Sequence, residues 1–312
     1  MNVQKQDDFA AFIMTSERPG ILLSTISKLQ SQTLAPALIL VVDNSESYAT
    51  ETAVRGLSSP EIEYFRVGFN SGPAGAALIG LQQLTKKGYK WLYWGDDDNP
   101  PRDNGVFEEL FKKIAQLGKE NIPIGIFSGK GGYLNKLTGR LRSLSNSELA
   151  KAKILEVDAV PGGHTMLVNA EIVKKGILPI KKLFFGFEEL EFCLSLKNTG
   201  YRIFIDAQTW LQARHKANNT HKDYRWKDTA FGKCENFDRE YYSTRNLLYI
   251  FWKHKLYFAF LFFLIKVLIK LFAGYWHGLH YGKKNFRAQG LALLHFFMGR
   301  YDPLKNQPEY TL

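Results

Sequence analysis

Short apolar runs recur along the first two thirds of the chain, and each closes on a polar cluster. Residues 9–14 form the first and break into Thr-Ser-Glu-Arg-Pro at 15–19. Residues 21–30 then carry apolar side chains at helical spacing. A run at 37–42 ends on Asp43, Asn44 and Ser45, and a weaker one at 62–67 leads into Asn-Ser-Gly-Pro-Ala-Gly at 70–75. A helix is expected over 75–86. The run at 89–94 ends, one glycine later, on Asp96, Asp97 and Asp98. Strand character returns over 157–168 around Pro161-Gly162-Gly163-His164, an acid-opened helix follows at 186–197, and 201–205 reads as a further strand. Strand, polar loop, helix, strand: this alternation predicts an α/β fold with a mostly parallel sheet flanked by helices. Such sheets bind ligands beyond the carboxyl ends of their strands, where these polar clusters fall. Residues 128–152, rich in Gly, Lys and Ser, are expected to form a long loop over the site. Composition shifts near 241, dividing the chain into an expected 1–240 ligand-binding domain and a helical 241–312 region. No internal repeat is visible.

A net charge of +11 on 312 residues suits an anionic partner such as a nucleotide or a phospholipid surface. No nucleic-acid-binding motif accompanies it, so nucleic acid is not expected as a partner. The two cysteines, Cys193 and Cys234, have neither metal nor redox spacing, which fits a reducing compartment. The N-terminus carries acids and no apolar run, unlike a signal peptide.

Three adjacent carboxylates repel one another unless a cation sits among them. A hard, oxygen-seeking divalent ion, Mg2+ or Mn2+, suits that role and commonly bridges to a diphosphate. At a strand end the first and third side chains point the same way, so Asp96 and Asp98 are the expected ligands. The plainer alternative is a solvated acidic turn.

Together these segments resemble glycosyltransferase family 2, of the GT-A fold. Asp96-Asp97-Asp98 resembles its Asp-x-Asp motif. The 15–19 loop, with Thr15 and Arg18, resembles the first-strand loop that lies against the nucleotide. Asp43 stands where an acid contacts the base, although Asp-Asn-Ser is also favourable turn chemistry. Asn70, Gly72 and Gly75 resemble the segment lining the donor site; Gly162 and Gly163 resemble the small-residue stretch beside the transferred sugar. Gly-Phe-Glu-Glu-Leu-Glu at 186–191 resembles the acidic segment that supplies the catalytic base. By that resemblance Glu189 is the expected base, with Glu188 next and Glu191 third; glutamate here replaces the commoner aspartate, which leaves the choice within the pair open. His215 stands where some members place a further metal ligand, with His164 and His221 as rivals.

The implied activity is an inverting, metal-dependent sugar transfer from a UDP- or dTDP-linked donor, galactofuranose or rhamnose, to a hydroxyl of a glycan or lipid-linked glycan. A metal stabilises charge on the departing diphosphate, and one carboxylate takes the proton of the attacking hydroxyl. A sugar nucleotidyltransferase is the enzymatic alternative, but 15–20 lack a glycine-rich triphosphate loop. A non-catalytic membrane scaffold with the same fold is the other.

Residues 256–273 are apolar except for Lys266 and Lys270. At 100° per residue, Lys255, Lys266, Lys270 and His277 share one stripe. Charges at a bilayer centre are costly, so an amphipathic helix lying in the membrane interface is expected rather than a span. Lys283, Lys284 and Arg287 add charge for anionic headgroups. The expected location is cytoplasmic, peripheral on the inner face of the membrane. A helix packed on the catalytic domain or in a dimer contact is the alternative.

Overall fold

The computed structural model describes residues 9–162, 165–216 and 236–304. Its centre is an eight-stranded sheet. The strands are β1 (Phe9–Thr15), β2 (Ile39–Asp43), β3 (Ile62–Arg66), β4 (Trp91–Asp96), β5 (Ile124–Ser128), β8 (Ile154–Glu156), β9 (Met166–Asn169) and β10 (Arg202–Asp206). They run in the order β3-β2-β1-β4-β9-β5-β10-β8. β3, β2, β1 and β4 pair in parallel, as do β5 and β10, while β9 and β8 run antiparallel to their neighbours.

Every residue of β1 is buried, as a strand covered on both faces must be. Its alternate side chains feed two different cores. Ala10, Phe12 and Met14 pack with α3 (Gly72–Lys86), α6 (Ala170–Lys174) and α7 (Glu188–Lys197). Phe9, Ala11 and Ile13 pack with α1 (Pro19–Gln30) and α4 (Val106–Lys119). On α4, Phe107, Leu110, Phe111, Ile114 and Leu117 make one buried helical stripe. A short α2 (Ala49–Arg55) links β2 to β3, and α8 (Ala207–Lys216) follows β10.

Two expectations change. Residues 128–152 are not a structureless loop. They hold a hairpin of β6 (Gly132–Leu134) and β7 (Leu141–Ser143), then a short α5 (Asn146–Leu149). Ser145 and Glu148 close a reciprocal capping box on that helix, and Leu134, Leu144 and Leu149 bury their side chains. The 157–168 run is not one strand either: β8 precedes it, β9 takes its end, and the turn between carries Gly162.

Three helices finish the described chain: α9 (Phe237–Lys253), α10 (Tyr257–Ala273) and α11 (Leu279–Phe297). By length and composition alone, the segment Tyr257–His277 is apolar enough to cross a membrane. Only Ala259, Val267 and Leu271 of α10 are buried. Tyr257, Phe258, Leu261, Phe262, Ile265, Leu268, Ile269 and Phe272 are all exposed. At 100° per residue they fill one continuous arc of about 140°.

Candidate active site

Strands β1, β2 and β4 end side by side. The register pairs Thr15 with Asp43 and Met14 with Asp96, so the polar clusters after these strands meet at one edge. Asp97 turns inward and is fully buried. Its carboxylate accepts from the Thr15 hydroxyl at 2.6 Å and from the Arg18 guanidinium. Arg18 also donates to Asp98 at 2.8 Å. Asp97 thus staples the β4 turn to the β1 loop. Asp96 and Asp98 remain facing the cleft, with the Asp98 side chain half exposed. Burial, then the neighbouring Asp98 and Asp97 carboxylates, push Asp96 up to about 6.

The cleft beside them has a volume of about 680 Å3. Thr15, Arg18, Asn44, Asn70 and Gly72 line one side; Phe184 and Phe185 with Asn236, Arg239 and Tyr242 of the α9 end line the other. Asn70 accepts from the Gly72 N–H at 2.9 Å, fixing the turn into α3. Gly72 has φ +69°, and a Cβ there would meet the Phe184 carbonyl oxygen at 2.2 Å, so only glycine lets the two loops approach. Asp43 does not line the cleft. It is buried, accepting from Ser45 N–H at 2.8 Å and Tyr64 hydroxyl at 2.6 Å, and holds the β2 turn.

The paired glutamates arrive on the first turn of α7. The chain reaches them through positive φ at Phe184 (61°), Gly186 (84°) and Phe187 (68°). Such conformations in non-glycine residues cost about 1–3 kcal/mol each and persist only where neighbours fix them. Here Asn246 of α9 donates to the carbonyls of Leu183, Phe185 and Gly186 at 2.9, 2.9 and 3.0 Å. Glu188 is buried, and its Oε2 has no hydrogen-bond partner. Glu189 reaches Gly162: a Cβ on that glycine would lie 1.8 Å from Glu189 Oε1. Burial first, then their mutual charge for Glu189, and the nearby Asp96 for both, hold the pair above the usual carboxylate range. Glu191 differs. Burial raises it, but bonds from His254, Lys253 and Ser195 outweigh burial and hold it low, so its charge is already matched.

The cleft therefore has hard oxygen donors, Asp96 and Asp98, facing it; Glu188 and Glu189 do not line it, and the charge of Asp96 acts on both from the cleft side. The donor set fits a divalent cation: two carboxylates, one of them destabilised by burial and repulsion, gain from a positive charge. His215 is exposed on the last turn of α8 and does not line the cleft. Among the described residues no cluster of three or more His, Cys, Asp or Glu is assembled for a metal. Gly163, His164, His221 and Cys234 lie outside the described residues.

Residues 11–177 match the family model for glycosyl transferase family 2. The chain belongs to that family. Among its relatives, galactofuranosyltransferase GlfT1 of Mycolicibacterium smegmatis is 29% identical over 205 residues, 61% of this chain and 65% of the relative. GlfT1 of Mycobacterium tuberculosis is 29% identical over 103 residues, 32% of this chain and 33% of the relative. The chain thus spans less than two thirds of these relatives' length. A solved mannosyltransferase, PcManGT from Pyrobaculum calidifontis in complex with GDP-Man and Mn2+, shares the fold at a TM-score of 0.52. It is 12% identical, over 95% of this chain and 84% of that one.

Within this family-2 chain, sequence reasoning missed the wall formed by Phe184, Phe185, Arg239 and Tyr242. The α9 end carries a readable signal, Asn236 capping the Arg239 N–H at 3.2 Å. Nothing in the sequence says that this helix end returns to the β1 edge.

Proposed function

We propose that the protein is an inverting glycosyltransferase that moves a sugar from a UDP- or dTDP-linked donor to a hydroxyl of a glycan or lipid-linked glycan. Galactofuranose is the first choice of sugar, because the GlfT1 relatives are galactofuranosyltransferases by name; rhamnose is the second. The observation that carries this reading is one cleft with the β4 aspartates on one wall and, on the other, Phe184 and Phe185 of the loop that leads into Glu188 and Glu189, whose carboxyls feel the charge of Asp96.

Asp96 and Asp98 hold Mg2+ or Mn2+ in this reading; His215, exposed on α8 and away from the cleft, is not among the ligands. The ion's contribution is neutralisation of charge on the departing diphosphate. Arg18, freed from Asp98, meets the diphosphate. Asp97 and Thr15 keep the two loops in register. Asn70 and Gly72 shape the donor wall, and Asp43 acts on the base through the β2 turn it fixes. Glu189 is the base, seated on Gly162; Glu188, its neighbour, raises it. A carboxyl held toward neutrality accepts a hydroxyl proton with less loss of driving force than an ordinary one. One base and no covalent intermediate invert the anomeric centre.

The outward apolar arc of α10, flanked by Lys255, Lys283, Lys284 and Arg287, supports a seat on an anionic bilayer surface, the cytoplasmic face in this reading. A panel of UDP- and dTDP-sugars with Mn2+, with nucleoside diphosphate release as the readout, tests the function. Release from one donor that stops with EDTA, with Asp98→Ala and with Glu189→Gln is expected. Release that survives all three overturns the reading.

A further inference from the structure

A second cavity opens on the same sheet edge, across the turn after Asp98 from the donor cleft. It measures about 370 Å3 and lies between the start of α4, the ends of β5 and β10, and α8. Asn99 and Pro100 wall it on the aspartate side, and Thr165 brings in the segment that follows Gly162. Part of its lining therefore belongs to the two chain segments that carry the aspartates and the seat of Glu189. An acceptor hydroxyl has to arrive at that place.

The lining is apolar on one side and cationic on another. The apolar part of the wall is Val106 with the exposed edge of Trp210, a largely buried indole over whose ring Arg214 lies, and it faces the C–H side of a sugar ring. The acids of the wall are mostly committed: Asp206 to Lys113 and to the Thr209 N–H, Glu109 to Lys112, while Asp103 is exposed at the rim. The side chains of Lys130 and Arg102 have no hydrogen bond or ion pair among the described residues. Lys130 is half-buried, and the charges that act on it come from Arg102 and Arg214. Arg214 is itself held on Asn146 at 2.8 Å and stacked over Trp210. Burial and these like charges lower the Lys130 pKa, the mark of an ammonium that lacks a counter-ion.

We propose that this cavity is the acceptor site, and that it takes a saccharide bearing an oxyanion, a phosphate ester or a carboxylate, paired with Lys130 and Arg102 while the ring lies against Val106 and the edge of Trp210. The word acceptor rests on the transfer function proposed above; the oxyanion site does not. Anion pairing with a half-buried lysine and an exposed arginine at the rim supplies charge-assisted hydrogen bonds worth more than neutral ones, and the apolar wall gives the ring its orientation.

Calorimetric titration of the whole protein with glucose 6-phosphate, glucuronic acid and glucose, without donor and with EDTA, tests the site directly. At least one charged probe is expected to bind tenfold or more tightly than glucose, and comparison of the two identifies the oxyanion preferred. Lys130→Met combined with Arg102→Gln is expected to erase the difference, while Lys130→Arg keeps it and controls for folding. No preference in the unaltered protein, or a preference that survives Lys130→Met with Arg102→Gln, overturns the proposal; the latter puts the anion at Arg18 in the donor cleft. Transfer assays form the second arm. Equal turnover with neutral and charged acceptors sinks the oxyanion site and leaves the transfer function standing. Binding that follows Lys130 in a protein that turns over no donor does the reverse.

Discussion

A single hydrogen atom in place of a methyl group decides where Glu189 sits. Its carboxyl occupies the space that any side chain at residue 162 would fill. Gly162→Ala is therefore expected to push the carboxyl aside without unfolding the protein, because the displaced atoms are the free end of a flexible side chain. Misplacing a base by about 1 Å costs on the order of a hundredfold in rate. Steady-state kinetics should show kcat falling by that order, donor KM near its original value and an unchanged thermal midpoint. A lowered midpoint with normal kcat would make the glycine a packing device only. At this scale the sequence was legible in its chemistry and not in its wiring. Three consecutive aspartates after an apolar strand point to a charged site, but periodicity cannot tell that Asp97 turns inward to Thr15 while Asp96 and Asp98 face the cleft. Asp43 read equally as base contact and turn residue; its oxygens are taken by Ser45 and Tyr64, a partner on the neighbouring strand that no local pattern indicates.

At the scale of elements, β1 to β4 with α1 and α3 were readable because each apolar run or helical spacing is closed by a turn signal, while the seven-residue α2 between β2 and β3 was not. The 128–152 stretch was not. Its strands β6 and β7 are three residues each, too short for alternation to register, and they are held by the hairpin partner instead. α10 shows a subtler limit. Sequence places Lys266 and Lys270 on one stripe, but not which way the stripe points. Lys270 pairs beneath the helix with Glu240 of α9, so the apolar arc faces outward. A surface helix of a water-facing protein has the opposite polarity. Ile265→Glu with Ile269→Glu touches exposed positions only and leaves packing intact. Sedimentation with vesicles containing anionic lipid should show the unaltered protein bound and the double variant at least tenfold weaker, with transfer to a water-soluble acceptor retained. Equal binding by both proteins would remove α10 from the membrane contact.

At the scale of the whole molecule, α9 joins the outward helices to the chemistry. It packs on α10 and α11, and its Arg245 and Asn246 are fully buried against the 182–186 segment. Arg245 has carbonyl, phenol and amide partners and the faces of Tyr241, Tyr242 and Tyr301. The same helix ends on Lys253 and His254, which bind Glu191 on α7. The helix that carries Glu188 and Glu189 is thus gripped before its start and one turn after it by an element remote in sequence. Asn246→Ala removes the donor shared by three carbonyls. Leaving buried acceptors unmet costs roughly 1–3 kcal/mol each, and the strained φ values at Phe184 and Phe187 lose what fixes them. An unfolding free energy lowered by on the order of several kcal/mol, read from denaturant titration, is expected, and packing loss alone gives the same sign. The distinguishing readout is kinetic, taken on folded protein at low temperature. Because the 183–187 loop both walls the donor cleft and sets the start of α7, kcat should fall tenfold or more even where folding is complete. A variant that loses stability and keeps full kcat would show that α9 supports the fold without setting the position of the carboxyl pair.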